Sequence, residues 1–182
     1  MTTAVQDRRT TAPTSGRAPE AYVRDFDAAL AANAGQPAWM SALRRRGHAA
    51  LVTHGFPTTK NEDWHFTSVA AIAESDFLAM TAPGGEVTAA DVARFGFGQD
   101  GWHTMVFVNG HFDASLSSLD ALPAGIRVLS LPQAIAEMPE LVQRHLGAVT
   151  SIDDPAQVFT ALNSMYMLDG AVVHVAADTV VR

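Results

Sequence analysis

The stretch FPTTKNEDWHFTS, residues 56–68, combines turn-forming residues with large aromatic side chains. Pro57 cannot continue a helix that arrives from the N-terminal side. Thr59 and Glu62 have the spacing of a capping box, in which a hydroxyl and a carboxylate satisfy free backbone N–H groups. Trp64 and Phe66 offer apolar area that would pin this turn to the helices before it. The stretch predicts a helix stop, a rigid turn and an aromatic anchor.

Helical spacing of apolar residues precedes this stretch. Pro19 suits the first position of a helix that Gly35 would end. A second helix is predicted to begin at Pro37 and to end at Gly55, since glycine after the last apolar residue and proline beyond it are stop signals. A third, short helix is expected after Ser68.

Strand signals dominate the sequence from residue 103 onward. Asn109 and Gly110 separate two alternating apolar runs and predict a β-hairpin, in which 108 faces 111 and His103 would face Leu116. The run GIRVLSL at 125–131 predicts another strand. The final residues, 171–182, read as strand, turn and strand. Because domains rarely finish on a bare strand edge, we expect an all-β section to follow.

Helix-start signals lie between these strands. Thr88 with Asp91, and Ser130 with Gln133, fit capping boxes. The helix that begins at Ser130 is predicted to be interrupted at Pro139. Asp154, followed by proline, should cap a further helix whose apolar face is Val158, Phe159, Leu162, Met165 and Tyr166.

Composition narrows the class of protein. The chain has 182 residues, 48% of them hydrophobic, and a net charge of −7, which fits a globular domain and disfavours a nucleic-acid or anionic-membrane surface. The arginines at 44–46 are expected on a solvated helix flank. Cysteine is absent, so thiolate chemistry within these residues is excluded. Residues 1–18 are predicted to be a disordered tail, and the cytoplasm is the expected location.

Candidate chemical motifs all have a simpler structural interpretation. Residues 96–101 match G-x-G-x-x-G, but the order of helix and strand around them is the reverse of a dinucleotide site. Lys60, the only lysine, has no phosphate-binding glycines near it. Glu62 and Asp63 are explained by the turn, and the seven histidines form no H-E-x-x-H motif. We therefore assign no catalytic, cofactor-binding or metal-binding residue and predict a protein that is not an enzyme.

Several segments together resemble a known family. GFPTTKNEDWHFTSV at 55–69 is similar to a segment near the start of SufD, in the SufB/SufD family of iron–sulfur cluster assembly scaffolds. VFVNGHFDASLSSLDALPAGIRVLSLPQAI and FTALNSMYMLDGAVVHVAADTVV resemble later segments of that family, in the same order. His65 and Phe66 stand where the family often has lysine and tyrosine. The resemblance runs from about Trp39 to Val181 and favours the SufD branch over SufB.

The resemblance implies an α+β fold with a defined order of parts. A helical N-terminal region would lead into a mixed α/β middle with a β-hairpin, and then into the first strands of a right-handed parallel β-helix. The expected divisions are a tail at 1–18, a SufB/SufD-type N-terminal domain at 19–168, and the start of the β-helix core at 169–182.

The same resemblance implies a scaffold role in the SUF complex. Its expected partners are SufB and the ATPase SufC, contacted mainly through regions beyond Arg182, and a homodimer is possible. No cofactor is expected on this portion, because the iron–sulfur cluster is cargo that the full complex handles transiently. Two alternatives stay open: a free-standing protein-interaction module, and the N-terminal part of a β-helix enzyme whose active site lies downstream.

Overall fold

The computed structural model describes residues 20–96 and 101–181. Eight α-helices lie within these ranges, named α1 to α8 in chain order: Glu20–Val23, Phe26–Ala32, Ala38–His54, Ala70–Ala73, Ala89–Phe95, Leu131–Glu137, Pro139–His145 and Val158–Tyr166. Four strands in the same ranges, β1 to β4, span Phe107–Val108, His111–Phe112, Ile126–Ser130 and Ala171–Val175. The predicted tail at 1–18 and residues 97–100 of the glycine motif lie outside the described residues.

Helix α3 is the longest described helix, and its bounds confirm the sequence signals. Pro37 occupies the position before its first residue, and Gly55 follows its last residue with a φ of 64°. That left-handed conformation favours glycine, and it lets the Gly55 N–H donate to the Leu51 carbonyl. The helix predicted from Pro19 differs, because the chain breaks it into α1 and α2 around Asp25.

The core forms where α3 packs along α8. Gly47 of α3 permits the close approach, since a Cβ atom there would lie 2.5 Å from the Ala161 carbonyl oxygen and 2.9 Å from the Met165 nitrogen. Apolar side chains are buried on both sides of this contact. Those that are exposed by 1% or less are Met40, Leu51, Ala134, Ile152, Val158, Ala161 and Met165. The predicted face of α8 is partly confirmed, because Phe159, Leu162 and Tyr166 are only half-buried while Ala161 is fully buried.

Two predicted capping boxes are present. The Thr88 hydroxyl accepts from the Asp91 N–H, and the Asp91 carboxylate accepts from the Thr88 N–H in return. Ser130 and Gln133 exchange the same pair of hydrogen bonds at the start of α6. Each box satisfies two backbone donors that a helix start leaves free. Pro139 then begins α7 directly after α6, which confirms the predicted interruption.

The hairpin forms at Asn109 and Gly110, with Val108 opposite His111 as predicted. Both turn residues have positive φ, 50° and 83°, as a two-residue hairpin turn requires. The predicted pairing of His103 with Leu116 is wrong, because the next paired residues are Thr104 and Ser118. Asp113 explains the shift. Its carboxylate accepts from the N–H groups of two residues after it, Ser115 and Leu116, and so adds a turn to one strand of the pair.

Strand β4 pairs antiparallel with β3, from Ile126 opposite Val175 to Ser130 opposite Ala171. The partner of β4 thus lies earlier in the chain, and within the described residues this sheet has only the two strands β3 and β4. Residues 176–181 form no second strand. Thr179 instead packs against Gly125, where an added Cβ atom would clash with the Thr179 hydroxyl oxygen. Sequence alternation signals a strand but does not name its partner. The start of a β-helix stays a prediction.

A middle segment, residues 70–129, differs from both flanks. Not one of its described residues is buried, although it carries α4, α5 and the hairpin. Asp169 fixes it to the rest of the domain, because its carboxylate accepts from the N–H of Phe112 at 2.9 Å and from that of Leu131 at 3.2 Å. The middle segment thus packs on the core through partly buried side chains such as Ala73 and Leu129, and none of its described residues is fully buried.

Candidate functional site

The joint between α3 and the middle segment, residues 55–68, turns differently from the predicted capping box. Asn61, not Thr59, supplies the side chain that stabilises the turn. Its Oδ1 accepts from the Thr58 N–H at 2.8 Å and lies 3.2 Å from the Thr58 hydroxyl. A single 3₁₀ turn at Glu62–Trp64 follows, so Asn61 occupies the position before it. The capping box between Thr59 and Glu62 is wrong because the helical turn begins too late for Thr59 to cap it.

Trp64 anchors the joint, as predicted, but to a different element. Its indole Nε1 donates to the Ala156 carbonyl at 3.3 Å, and its ring lies 5.4 Å from the ring of Phe159. Both partners belong to the segment that opens α8 rather than to the helices before the joint. Phe56, which the sequence did not single out, is 5% exposed and lies 4.9 Å from the Tyr22 ring. It provides the contact with the N-terminal helices that the prediction gave to Trp64.

Phe66 does not take part in this anchor. Its side chain is 96% exposed, so the prediction that it pins the joint is wrong. The neighbouring His65 ring meets it edge-on at 4.7 Å, while the His65 Nδ1 lies 3.1 Å from the Thr59 carbonyl oxygen. The joint therefore holds the rings of Phe56 and Trp64 against the fold and presents that of Phe66 to solvent.

The arginine run at 44–46 is divided between core and surface. Arg45 and Arg46 are exposed as predicted, and Arg46 pairs with Asp153 through a 2.9 Å bond from Nε. Arg44 contradicts the prediction, since it is 1% exposed. Burial lowers the pKa of its guanidinium below the usual value. Nothing in three consecutive arginines reveals which one faces inward; the partner that fixes Arg44 is the Met167 carbonyl, far along the chain.

The motifs considered for chemistry remain separate in the structure. Lys60, Glu62 and Asp63 are exposed on the joint. Lys60 lines a surface pocket of about 410 Å³ with His54, Thr58 and Asn61. Gly96 ends α5 and Gly101 has a φ of 89°, but the residues between them lie outside the described ranges.

Three of the seven histidines, His48, His65 and His111, contact apolar or backbone groups. His48 stacks on Phe26 with 4.3 Å between ring centroids, and His111 lies 3.2 Å from the Met80 carbonyl oxygen. Across residues 20–96 and 101–181, no group of three or more metal-ligating side chains comes together. No helix in those ranges is long and apolar enough to cross a membrane.

The arrangement defines a helical domain built on the α3–α8 contact, with a rigid turn after α3 and a peripheral middle segment. Comparison with known proteins identifies the family of this domain. Residues 19–182 match the family model described as the SufBD protein N-terminal region. The chain belongs to the SufBD family, and the part that it represents is that N-terminal region.

Two curated relatives agree with this assignment. The chain is 32% identical over 137 residues to the iron–sulfur cluster assembly SufBD family protein slr0076 of Synechocystis, an alignment that covers 75% of the chain and 29% of the relative. It is 39% identical over 56 residues to the SufBD family protein ycf24 of Trieres chinensis, covering 31% of the chain and 11% of the relative. The matches thus span less than a third of either relative. No solved structure matches the chain.

Proposed function

We propose that the chain serves iron–sulfur cluster assembly as the N-terminal part of a SufD-type scaffold. The observation that carries the proposal is the family match over residues 19–182, together with relatives whose names state that process. In this role the protein works with SufB and the ATPase SufC in the cytoplasm, and the cluster is cargo rather than a resident cofactor. The domain itself is not an enzyme.

Assignment to the SufD branch rests on the joint. The segment at 55–69 resembles the corresponding SufD segment. The contacts that its residues make suggest why glycine, asparagine and tryptophan occur in it. Gly55 has the φ of 64° that ends α3, and Asn61 and Trp64 hold the turn against the start of α8. These contacts fix the direction in which the chain leaves α3. A scaffold needs such fixed geometry because it acts by positioning partners.

Genetic replacement tests this proposal. The gene would be expressed in one strain that lacks SufD and in a matched strain that lacks SufB, and the activity of a cluster-dependent dehydratase would be measured in extracts. We expect recovery in the SufD-lacking strain alone, together with co-purification of SufB and SufC. Recovery only in the SufB-lacking strain would move the protein to the other branch. Failure in both strains, with soluble and folded protein, would overturn the scaffold role.

A further inference from the structure

A cavity of about 480 Å³ lies between the N-terminal helices, α8 and the start of the middle segment. Its size falls within the range of about 300–1,000 Å³ that small-molecule sites occupy. Most of its lining is apolar, from Tyr22 and Ala29 on one side to Leu162 and Met165 on the other. Arg44 is the exception, because it is a buried cation in the wall of the same cavity.

The hydrogen bonds of Arg44 leave one nitrogen unsatisfied. Nε and Nη2 donate to the Met167 carbonyl at 3.2 and 2.8 Å, and Nη2 also donates to Gln36 Oε1 at 2.5 Å. Nη1 has no hydrogen-bond partner among the described residues. The ion pairs among the described residues involve arginines other than Arg44. The buried charge of Arg44 therefore has no carboxylate partner among these residues. An uncompensated buried charge is costly, and an anion beside it would remove much of that cost.

The surroundings limit the kind of anion. Asp25 also lines the cavity, and Arg24 at 3.4 Å partly offsets its charge. The Asp25 carboxylate would repel a multiply charged anion, and the apolar walls would not replace its lost hydration. A single carboxylate group needs only the one free nitrogen. We propose that the cavity binds a small amphipathic monocarboxylate, with one oxygen accepting from Arg44 Nη1 and the hydrocarbon part lying between Tyr22 and Leu162.

A ligand in the cavity can reach Arg44 Nη1 only after a displacement of the wall, since Nη1 exposes less than 1 Å² to solvent. The coil at 77–81 belongs to no helix or strand and lines the cavity together with Arg44. It carries large apolar side chains that are not buried: Phe77 is 57% exposed and Leu78 is 71% exposed. A ligand tail under this coil would gain apolar contact from both side chains.

Titration of the full chain with octanoate tests the proposal. Calorimetry should show saturable binding to one site, and the Nε–H signal of Arg44 should shift in ¹⁵N NMR spectra. Two control ligands separate the contributions: 1-octanol keeps the tail without the charge, and inorganic phosphate keeps the charge without the tail. We expect each to bind at least tenfold more weakly than octanoate. Equal binding of 1-octanol or of phosphate, or no binding of octanoate, would overturn the proposal.

Two variants locate the site. Arg44→Met keeps a long side chain without charge and should weaken octanoate binding at least tenfold. Because that change also removes the donors to the Met167 carbonyl, Ala79→Phe provides an independent test: it narrows the cavity at the coil and leaves Arg44 in place. We expect Ala79→Phe to lose octanoate binding with an unchanged melting temperature. Full-strength binding by either folded variant would refute this location.

Discussion

Replacement of Gly47 by alanine tests the packing on which the fold depends. The added methyl group would lie 2.5 Å from the Ala161 carbonyl oxygen, 2.9 Å from the Met165 nitrogen and 3.2 Å from the Ser164 Cβ atom. Two of these are backbone atoms of α8, so no side-chain rotation can relieve the contact and the two helices must move apart. Overpacking of a core costs about 1–3 kcal/mol, and rigid neighbours favour the upper end of that range.

Alanine also gains about 1 kcal/mol over glycine from its higher helix propensity, which offsets part of the cost. The expected net destabilisation by Gly47→Ala is therefore about 2 kcal/mol. For a domain of this size, that corresponds to a melting temperature lower by roughly 4–8 °C. Circular dichroism melts and urea titrations of the purified chain would measure both quantities.

Gly35→Ala is the matched control, because no described heavy atom lies within 4 Å of a Cβ atom built there. Its melting temperature should stay within about 2 °C of the wild type, as expected for a substitution of about 0.5 kcal/mol or less. If Gly47→Ala were as stable as Gly35→Ala, the close approach of α3 and α8 would be refuted, since a methyl group between the two helices would then cost no more than one in the open turn after α2.

Two further perturbations examine the joint and the surface. Trp64→Ala should cost about 2 kcal/mol in urea unfolding, less than for a fully buried ring, while Phe66→Ala should change stability by less than about 0.5 kcal/mol; equal effects would contradict the anchoring of Trp64 alone. Arg46 lowers the pKa of Asp153, and the largest cause is the hydrogen bond between the two side chains. The folded state therefore favours the ionised carboxylate. That stabilisation is present above the unfolded pKa of about 3.9 and is lost as the pH falls through the lower folded pKa. The melting temperature of Asp153→Asn should therefore lie below that of the wild type at pH 7 and converge with it in strong acid, whereas a constant difference would argue against the pair.

Local features of the fold were accessible from the sequence. The capping boxes at Thr88 and Ser130, the hairpin turn at Asn109, and the end of α3 at Gly55 are each determined by residues within a few positions of one another. Short-range hydrogen bonds and allowed backbone angles decide such features, so they leave a readable pattern.

Features that depend on distant partners were not accessible. Arg44 is buried because the Met167 carbonyl accepts from it, and Trp64 packs on Phe159, which lies far along the chain. No local pattern distinguishes Arg44 from the arginines beside it. The cavity was missed for the same reason, since its walls come from segments that only the tertiary fold brings together. Long-range packing, not propensity, selects these arrangements.

The position of the middle segment has a consequence for how the domain comes apart. All of the buried described residues belong to two stretches of chain, 20–69 and 130–166, which the hydrogen bond from the Tyr166 hydroxyl to the Tyr22 carbonyl also joins. Opening of the 70–129 region exposes little apolar surface, so amide hydrogens there should exchange at a lower free energy than those of α3 and α8. A protease that cuts within this region would leave two fragments that still share one core. We therefore expect the two fragments to remain bound to each other after such a cut, as a noncovalent complex.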